Sequence, residues 1–287
     1  MSAPVHTINR MWPIIGTEAI AAGVLTRGEL RWNHTALLPN IYLPKGVRPS
    51  VSTNAAAAWL WRGRKGVVAG RSAAALYGVS WIEETVPIEL IGRHGRRQPG
   101  VTIRDERIGE DEICQVANLP VTTPARTALD LARRLPRDDA VAHLDALASK
   151  TGVTVQEVLS LAERYPHTRG IRQARESVAL MDGGAETPRQ TWLRLLLIDA
   201  GMPKPQTAIA LADSDWETTV AIGWRGPKVG IDIAEDPVSD PYSIVQKIAR
   251  AELRQRLGWF DIRVAPAHTT ASIIYRVRQA LRQRGAI

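Results

Sequence analysis

Hydrophobic and polar positions repeat with two different periods along this chain, and each change of period marks an element. Gly16-Thr17-Glu18-Ala19-Ile20-Ala21-Ala22-Gly23 predicts a short helix that stops at Gly23. Thr26 to Asn33 predicts a second helix, with Thr26 as its cap and Glu29 three positions on, the two halves of a capping box. Ala36 to Gly46 predicts a hairpin that bends at Pro39-Asn40. Helix, tight turn, helix and hairpin is the plan of a small winged helix-turn-helix. There the second helix enters the major groove and the hairpin lies along the backbone. The same spacing also fits an ordinary αα-ββ segment.

An alanine-rich helix follows over 53–61, then a short one over Ser72 to Tyr77. Strands are predicted at 87–91 and 101–104, on either side of the loop Gly92-Arg93-His94-Gly95-Arg96-Arg97-Gln98-Pro99-Gly100. After a strand at Leu119-Pro120-Val121, Thr123 and Pro124 open a helix. Further helices are predicted over 138–150, 154–163 and 171–181, and Asp182-Gly183-Gly184 reads as a linker. Beyond it the pattern predicts a helix over 189–200, strands at 207–212, 217–224 and 228–233, a helix over 242–257, a strand at 260–264 and a helix over 269–284. The fold class is therefore α+β or α/β, and the last region has an αβββαβα order. The domain expectation is 1–50, 51–182 and 183–287. Trp192, Trp224 and Trp259 are read as core residues, and Trp32 as core ahead of a place on the DNA face.

Composition narrows the function. At 45% hydrophobic and 23% charged residues the chain is expected to fold. One cysteine, Cys114, excludes a disulfide framework and a cysteine-based zinc site. No apolar run reaches membrane-spanning length and no signal-peptide pattern opens the chain, so the cytoplasm is expected and a membrane partner is not. The net charge is +8, which favours a polyanionic partner. That charge sits at the ends. Residues 1–110 carry 14 Lys and Arg against 8 acids, and residues 240–287 carry 9 against 3.

Candidate DNA contacts follow from that distribution. The second helix offers Arg27, Arg31 and Asn33, and Lys45 and Arg48 follow the hairpin. Arg62, Arg64 and Lys65 close the alanine-rich helix, where cations also suit the helix dipole. Arg93, Arg96 and Arg97 concentrate charge on the Gly-rich loop, which can straddle a phosphate backbone or be a solvated turn. Lys247, Arg250, Arg254 and Arg256 lie on the basic helix near the C-terminus, either against DNA or on a solvated face.

Several of these segments resemble one family. Thr26-Arg27-Gly28-Glu29-Leu30-Arg31, Leu38-Pro39-Asn40-Ile41-Tyr42, Arg71-Ser72-Ala73-Ala74-Ala75-Leu76-Tyr77-Gly78 and above all Leu119-Pro120-Val121-Thr122-Thr123-Pro124-Ala125-Arg126-Thr127-Ala128-Leu129-Asp130-Leu131-Ala132 resemble AbiEi-type antitoxins over about residues 10–180. The resemblance implies an N-terminal winged-helix-like module, a mixed α/β middle, repression of the chain's own operon, and a nucleotidyltransferase-like toxin as partner. Residues 183–287 resemble the very-short-patch-repair endonucleases, of the restriction-endonuclease-like PD-(D/E)xK group. The carrying segments are Gly184 to Pro188, Leu193 to Leu197, Val220 to Trp224, Val229 to Ile233 and Arg250 to Trp259.

That chemistry needs carboxylates converging on Mg²⁺. At the positions where the group carries them, this chain has Ala221, Asp232, Ala234 and Lys247, and Pro237 to Tyr242 lacks the usual histidine. Glu186 and Asp232 remain as vestiges. The expectation is a DNA-binding regulator and antitoxin, bound to double-stranded DNA, without catalytic residues, metal or other cofactor. Two alternatives stand beside it. One is an active Mg²⁺-dependent DNA endonuclease, and the other is a protein-interaction partner that neutralises a toxin.

Overall fold

The structure is a computed structural model that describes residues 12–95, 97–214, 216–233 and 241–287, the side chains of 241–244 and 247 excepted. Arg96, the Lys247 side chain and residues 234–240 therefore lie outside the described residues. The chain divides into two compact units. The first runs to Leu135 and takes in Lys150–Ala179; the second joins Pro136–Ser149 to Leu180–Ile287.

The first unit opens with β1 (Ile14–Ile15), α1 (Gly16–Ala21), α2 (Arg27–Asn33), β2 (His34–Leu38) and β3 (Ile41–Pro44). The strands form an antiparallel sheet in the order β1-β3-β2. A small core of Ala19, Leu30, Ile41 and Leu43 holds this module. A Cβ at Gly16 would stand 2.6 Å from the Tyr42 ring, so α1 reaches the sheet only because that position is glycine. Asn40 turns the hairpin at φ 63°, and its side chain bonds Thr17 through the backbone N–H (3.1 Å) and the hydroxyl (2.9 Å).

Next come α3 (Val51–Trp61), β4 (Val67–Val68), α4 (Gly70–Leu76), β5 (Ile88–Ile91), β6 (Val101–Arg104), β7 (Ile113–Val116), β8 (Leu119–Thr122) and α5 (Pro124–Arg134). The strands build a mixed sheet in the order β6-β5-β4-β8-β7. Residues Ala55 to Ala58 of α3 are buried, since small side chains allow close packing. Gly70 starts α4 at φ 56°, where a Cβ would meet the Glu89 carboxylate at 2.5 Å; Glu89 instead accepts the Arg71 backbone N–H at 3.1 Å.

After α6 (Arg137–Thr151), the helices α7 (Val155–Ala162) and α8 (Ile171–Ala179) complete the first unit around α5. Thr123 caps α5 and Pro124 occupies its first turn, as the sequence predicts. Residues Arg126 to Arg133 of α5 are all buried. Buried charge on that scale requires partners. Arg126 bonds Asp130 (3.2 Å), Glu112 (2.5 Å), the Tyr165 hydroxyl (2.9 Å) and the Arg107 carbonyl (3.2 Å). Arg104 and Arg133 reach the same Asp130 at 3.1 and 3.4 Å, and Arg134 pairs with Glu106.

The second unit contains α6 up to Ser149, then α9 (Pro188–Asp199), β9 (Gln206–Ala212), β10 (Glu217–Trp224), β11 (Val229–Ile233), α10 (Pro241–Arg256), β12 (Phe260–Val264) and α11 (Thr270–Gln283). The sheet order is β12-β11-β10-β9. Its members are antiparallel except β11 and β12, which are parallel, as a crossover through α10 requires. On one face, Ile222, Ile231, Ile262 and Val264 pack with Leu193 and Leu197 of α9 and Val277 and Leu281 of α11. On the other, Trp259 joins Ile209, Leu211 and Val220.

Helix α6 is fastened inside this unit by one carboxylate. Asp145 accepts from the Asp182 backbone N–H, the Thr191 hydroxyl and Arg194 Nη2, each at 2.7 Å. Both edge strands carry an arginine on an outward carbonyl: Arg225 donates to Ala210 of β9 (3.3 Å) and Arg276 to Arg263 of β12 (2.8 Å).

The mixed α+β class matches the expectation. Two tryptophans do not. Trp224 and Trp259 are buried, but Trp32 is 72% exposed and Trp192 is 39% exposed. Each lies on the outer side of a helix whose inner side is satisfied by leucines, Leu30 in α2 and Leu193 and Leu197 in α9. Among the described residues no helix is long and apolar enough to cross a membrane.

Candidate nucleic-acid interface

Helix α2 is seven residues long, too short to persist on propensity alone. Its capping box compensates. Thr26 Oγ1 accepts the Glu29 N–H at 3.1 Å, and Glu29 Oε2 accepts the Thr26 N–H at 2.8 Å. The Thr26 N–H and the Thr26 hydroxyl (2.9 Å), both donating to Oε2, hold the Glu29 carboxyl below its usual range. Leu30 alone turns inward, so Arg27, Arg31, Trp32 and Asn33 are all exposed. The Lys45 N–H donates to the Asn33 carbonyl at 2.8 Å, which brings the end of the hairpin to the end of α2. Lys45 and Arg48 are exposed beside it.

A second basic group gathers where α3 ends. Arg62 Nη2 donates to the Arg93 carbonyl at 3.0 Å, so the α3 terminus and the Gly92–Gly100 loop meet. Lys65, Arg93 and Arg97 are exposed around that contact. Arg64 stands differently. It forms a two-pronged pair with Glu18 at 2.8 and 2.5 Å, which cancels its charge locally, raises its own pKa and holds the Glu18 carboxyl low.

In the second unit Arg250 is exposed, with Gln246 at 3.5 Å, and Arg256 pairs with Asp213 at 2.7 Å. Arg254 is turned inward, only 9% exposed, and donates to Asp261 at 2.6 Å. Asp232 lies beside two guanidiniums, Arg263 at 3.7 Å and Arg254 at 4.0 Å. Its register partner on β12 is Arg263 itself. Glu186 is exposed, just ahead of α9, where its backbone N–H donates to Gln190. Among the described residues no three His, Cys, Asp or Glu side chains are grouped to hold a metal.

Sequence reasoning ranked one feature here second and did not single out another. Trp32 stands in the middle of the exposed basic face of α2. And α11 carries Arg276, Arg278 and Arg282 without an acid, a run visible in the sequence because no Asp or Glu follows Asp261.

Two relatives in Mycobacterium tuberculosis are the uncharacterized protein MT2308 of strain CDC 1551 / Oshkosh and the uncharacterized protein Rv2248 of strain ATCC 25618 / H37Rv. Each is 28% identical over 242 residues, 81% of this chain and 89% of the relative. Residues 66–180 match the family model described as the AbiEi antitoxin C-terminal domain. That stretch runs from β4 to α8 and includes the buried charge cluster of α5. Over this part the chain is similar to AbiEi antitoxins, and the match supports an antitoxin of a toxin–antitoxin system.

Proposed function

We propose that this chain is a DNA-binding antitoxin that represses its own operon, with a nucleotidyltransferase-like toxin as partner. Residues 1–50 act as a winged-helix-like module, residues 51–182 as the AbiEi-like region, and residues 183–287 as a restriction-endonuclease-like domain that has lost hydrolysis. The match at residues 66–180 carries the reading. Support for DNA contact comes from α2. A capped helix after a tight turn presents two arginines and an asparagine outward, and the β2–β3 hairpin, paired with β1 in a three-stranded sheet, follows it. Phosphate contacts from Lys45, Arg48, Arg62, Lys65, Arg93 and Arg97 supply most of the affinity and a steep salt dependence. Arg27 and Arg31 read base edges.

The test is fluorescence anisotropy with a duplex from the operon's own promoter. Arg27→Ala with Arg31→Ala is expected to weaken binding about 10- to 100-fold, the loss of one or two base contacts. Binding equal to wild type at two salt concentrations sinks the reading. Co-purification with the product of an adjacent toxin gene tests the partner.

The sheet order β12-β11-β10-β9, with its one parallel pair, keeps the endonuclease alternative in view. The residues at its centre do not fit Mg²⁺. The strand aspartate position is Ala221, and Asp232 already faces Arg254 and Arg263, cations where a divalent ion would need oxygen ligands. The expected outcome is no cutting of plasmid, linear or mismatched DNA with Mg²⁺ or Mn²⁺. Cutting that Glu186→Ala and Asp232→Asn abolish would establish the nuclease instead.

A further inference from the structure

The C-terminal end of the chain carries positive charge of an unusual kind. After Asp261 the sequence holds five arginines and no acid. Ile273, Val277, Ala280 and Leu281 turn the inner side of α11 into the core. Ala271, Tyr275, Arg278 and Arg282 recur at helical spacing on the opposite side, one stripe about 16 Å long at 1.5 Å per residue. Tyr275 is 64% exposed. With Ile274 and Gln279 the stripe lines a shallow groove of about 400 Å³.

Three of these arginines are held by carbonyls and not by acids. Arg278 Nη2 donates to the Ala200 carbonyl at 3.1 Å, Arg276 Nη1 to the Arg263 carbonyl at 2.8 Å, and Arg284 Nη2 to the Gly258 carbonyl at 3.2 Å. Among the described residues, the ion pairs of this unit use Arg137, Arg194, Arg254, Arg256 and Arg263, and none of the arginines from 276 onward. A carbonyl holds a guanidinium in place and leaves its full charge outside. Ordered, uncompensated forks are what phosphate recognition needs.

We propose that the outer face of α11 is a second contact for the phosphate backbone of double-stranded DNA, made by Tyr275, Arg278 and Arg282. Taking DNA as the ligand rests on the proposed function; the surface itself does not use α2. Arg278 and Arg282 rise about 6 Å apart along the helix, against about 3.4 Å between successive phosphates of one strand along the duplex axis, so each meets its own phosphate. A second copy of the chain is disfavoured, since a two-fold pairing of this stripe sets Arg278 and Arg282 against their own kind. Nor is this the endonuclease-like face. Asp232 alternates with Ile231 and so points to the side of the sheet that α11 does not cover.

The experiment uses the full chain and a random-sequence duplex, which removes base readout, with anisotropy measured across a salt series. Arg278→Gln with Arg282→Gln is expected to flatten the slope of log affinity against log salt by about 1.8, at 0.9 per phosphate contact. Arg282→Gln alone, at a position outside the core, is expected to flatten it by about 0.9. Wild-type slope and affinity in both variants overturn the proposal. So does a poly-glutamate peptide whose binding falls in the double variant while duplex binding holds, which would assign the face to an acidic protein. Arg27→Ala with Arg31→Ala is run in parallel on the promoter duplex. If only that pair binds as wild type, the α2 reading fails and this one stands; if only the α11 variants do, the reverse follows.

Discussion

Two groups of arginines, one in each unit, meet opposite fates. In the first, Arg104, Arg126 and Arg133 are buried around Asp130 and answered by carboxylates. In the second, the arginines of α11 lie at the surface and lean on neutral carbonyls. Burial works to lower the pKa of Arg126, yet Asp130 and Glu112 outweigh it and the net shift is upward. Arg133 goes the other way: burial leads, and the neighbouring Arg126 and Arg104 add to it beyond what Asp130 restores. One residue type thus closes a core in one place and projects a field in another. Net charge alone does not distinguish the two.

The sharpest way to break this comparison is at Arg126. Arg126→Ala leaves buried Glu112 with only the more distant Arg164 at 3.7 Å as its cation and strips Asp130 of one of its three cations, and should cost about 3–5 kcal/mol, read as a fall in the urea midpoint. A loss under about 1 kcal/mol, the scale of a surface pair, would mean the cluster is no core at all.

Asp145 offers an intermediate effect. Burial pushes its carboxyl up to about 6, against the opposing pull of Arg194 and Thr191. A raised carboxyl pKa makes the folded state the better proton binder. Its contribution to stability is therefore full below about pH 4 and is lost as pH rises through about 6, worth about 3 kcal/mol at 1.36 kcal/mol per unit. Thermal midpoints of wild type against Asp145→Asn from pH 4 to 7 check this; the slope assigned to Asp145 should vanish in the variant.

The smallest effect is expected at Arg64. Its pair with Glu18 is about half exposed on both sides, so Arg64→Ala should change stability by about 0–1 kcal/mol. Because Glu18 already cancels that charge, duplex affinity should fall less than in Arg27→Ala with Arg31→Ala. An equal fall would show that Arg64 leaves Glu18 for phosphate.

Local grammar was legible from the sequence. The capping box at Thr26 and Glu29, the bend at Asn40, and the start of α5 at Thr123 and Pro124 all follow from nearest neighbours in the chain. The two-residue β4 left no period to read, and β7, as long as the predicted β8, was not predicted, though both belong to one sheet. The partners of charges were hidden for another reason. Arg126 finds Glu112 14 positions away and Tyr165 39 positions away, and no local pattern encodes such distances. Hence Arg64 and Arg254, read as free cations, proved to be paired with Glu18 and Asp261. Trp32 takes the exposed place and not the core one because one leucine, Leu30, suffices to seat so short a helix.

The arginines on the outer strands of the second sheet carry a further consequence. An edge strand is a template for another chain, and a growing stack of such pairings ends in insoluble fibre. Arg225 and Arg276 each occupy a carbonyl that an incoming strand would need. They act as guards on the two open rims of the sheet. Replacing them would leave the fold intact and change its solubility, with turbidity on mild heating rising before any unfolding is seen.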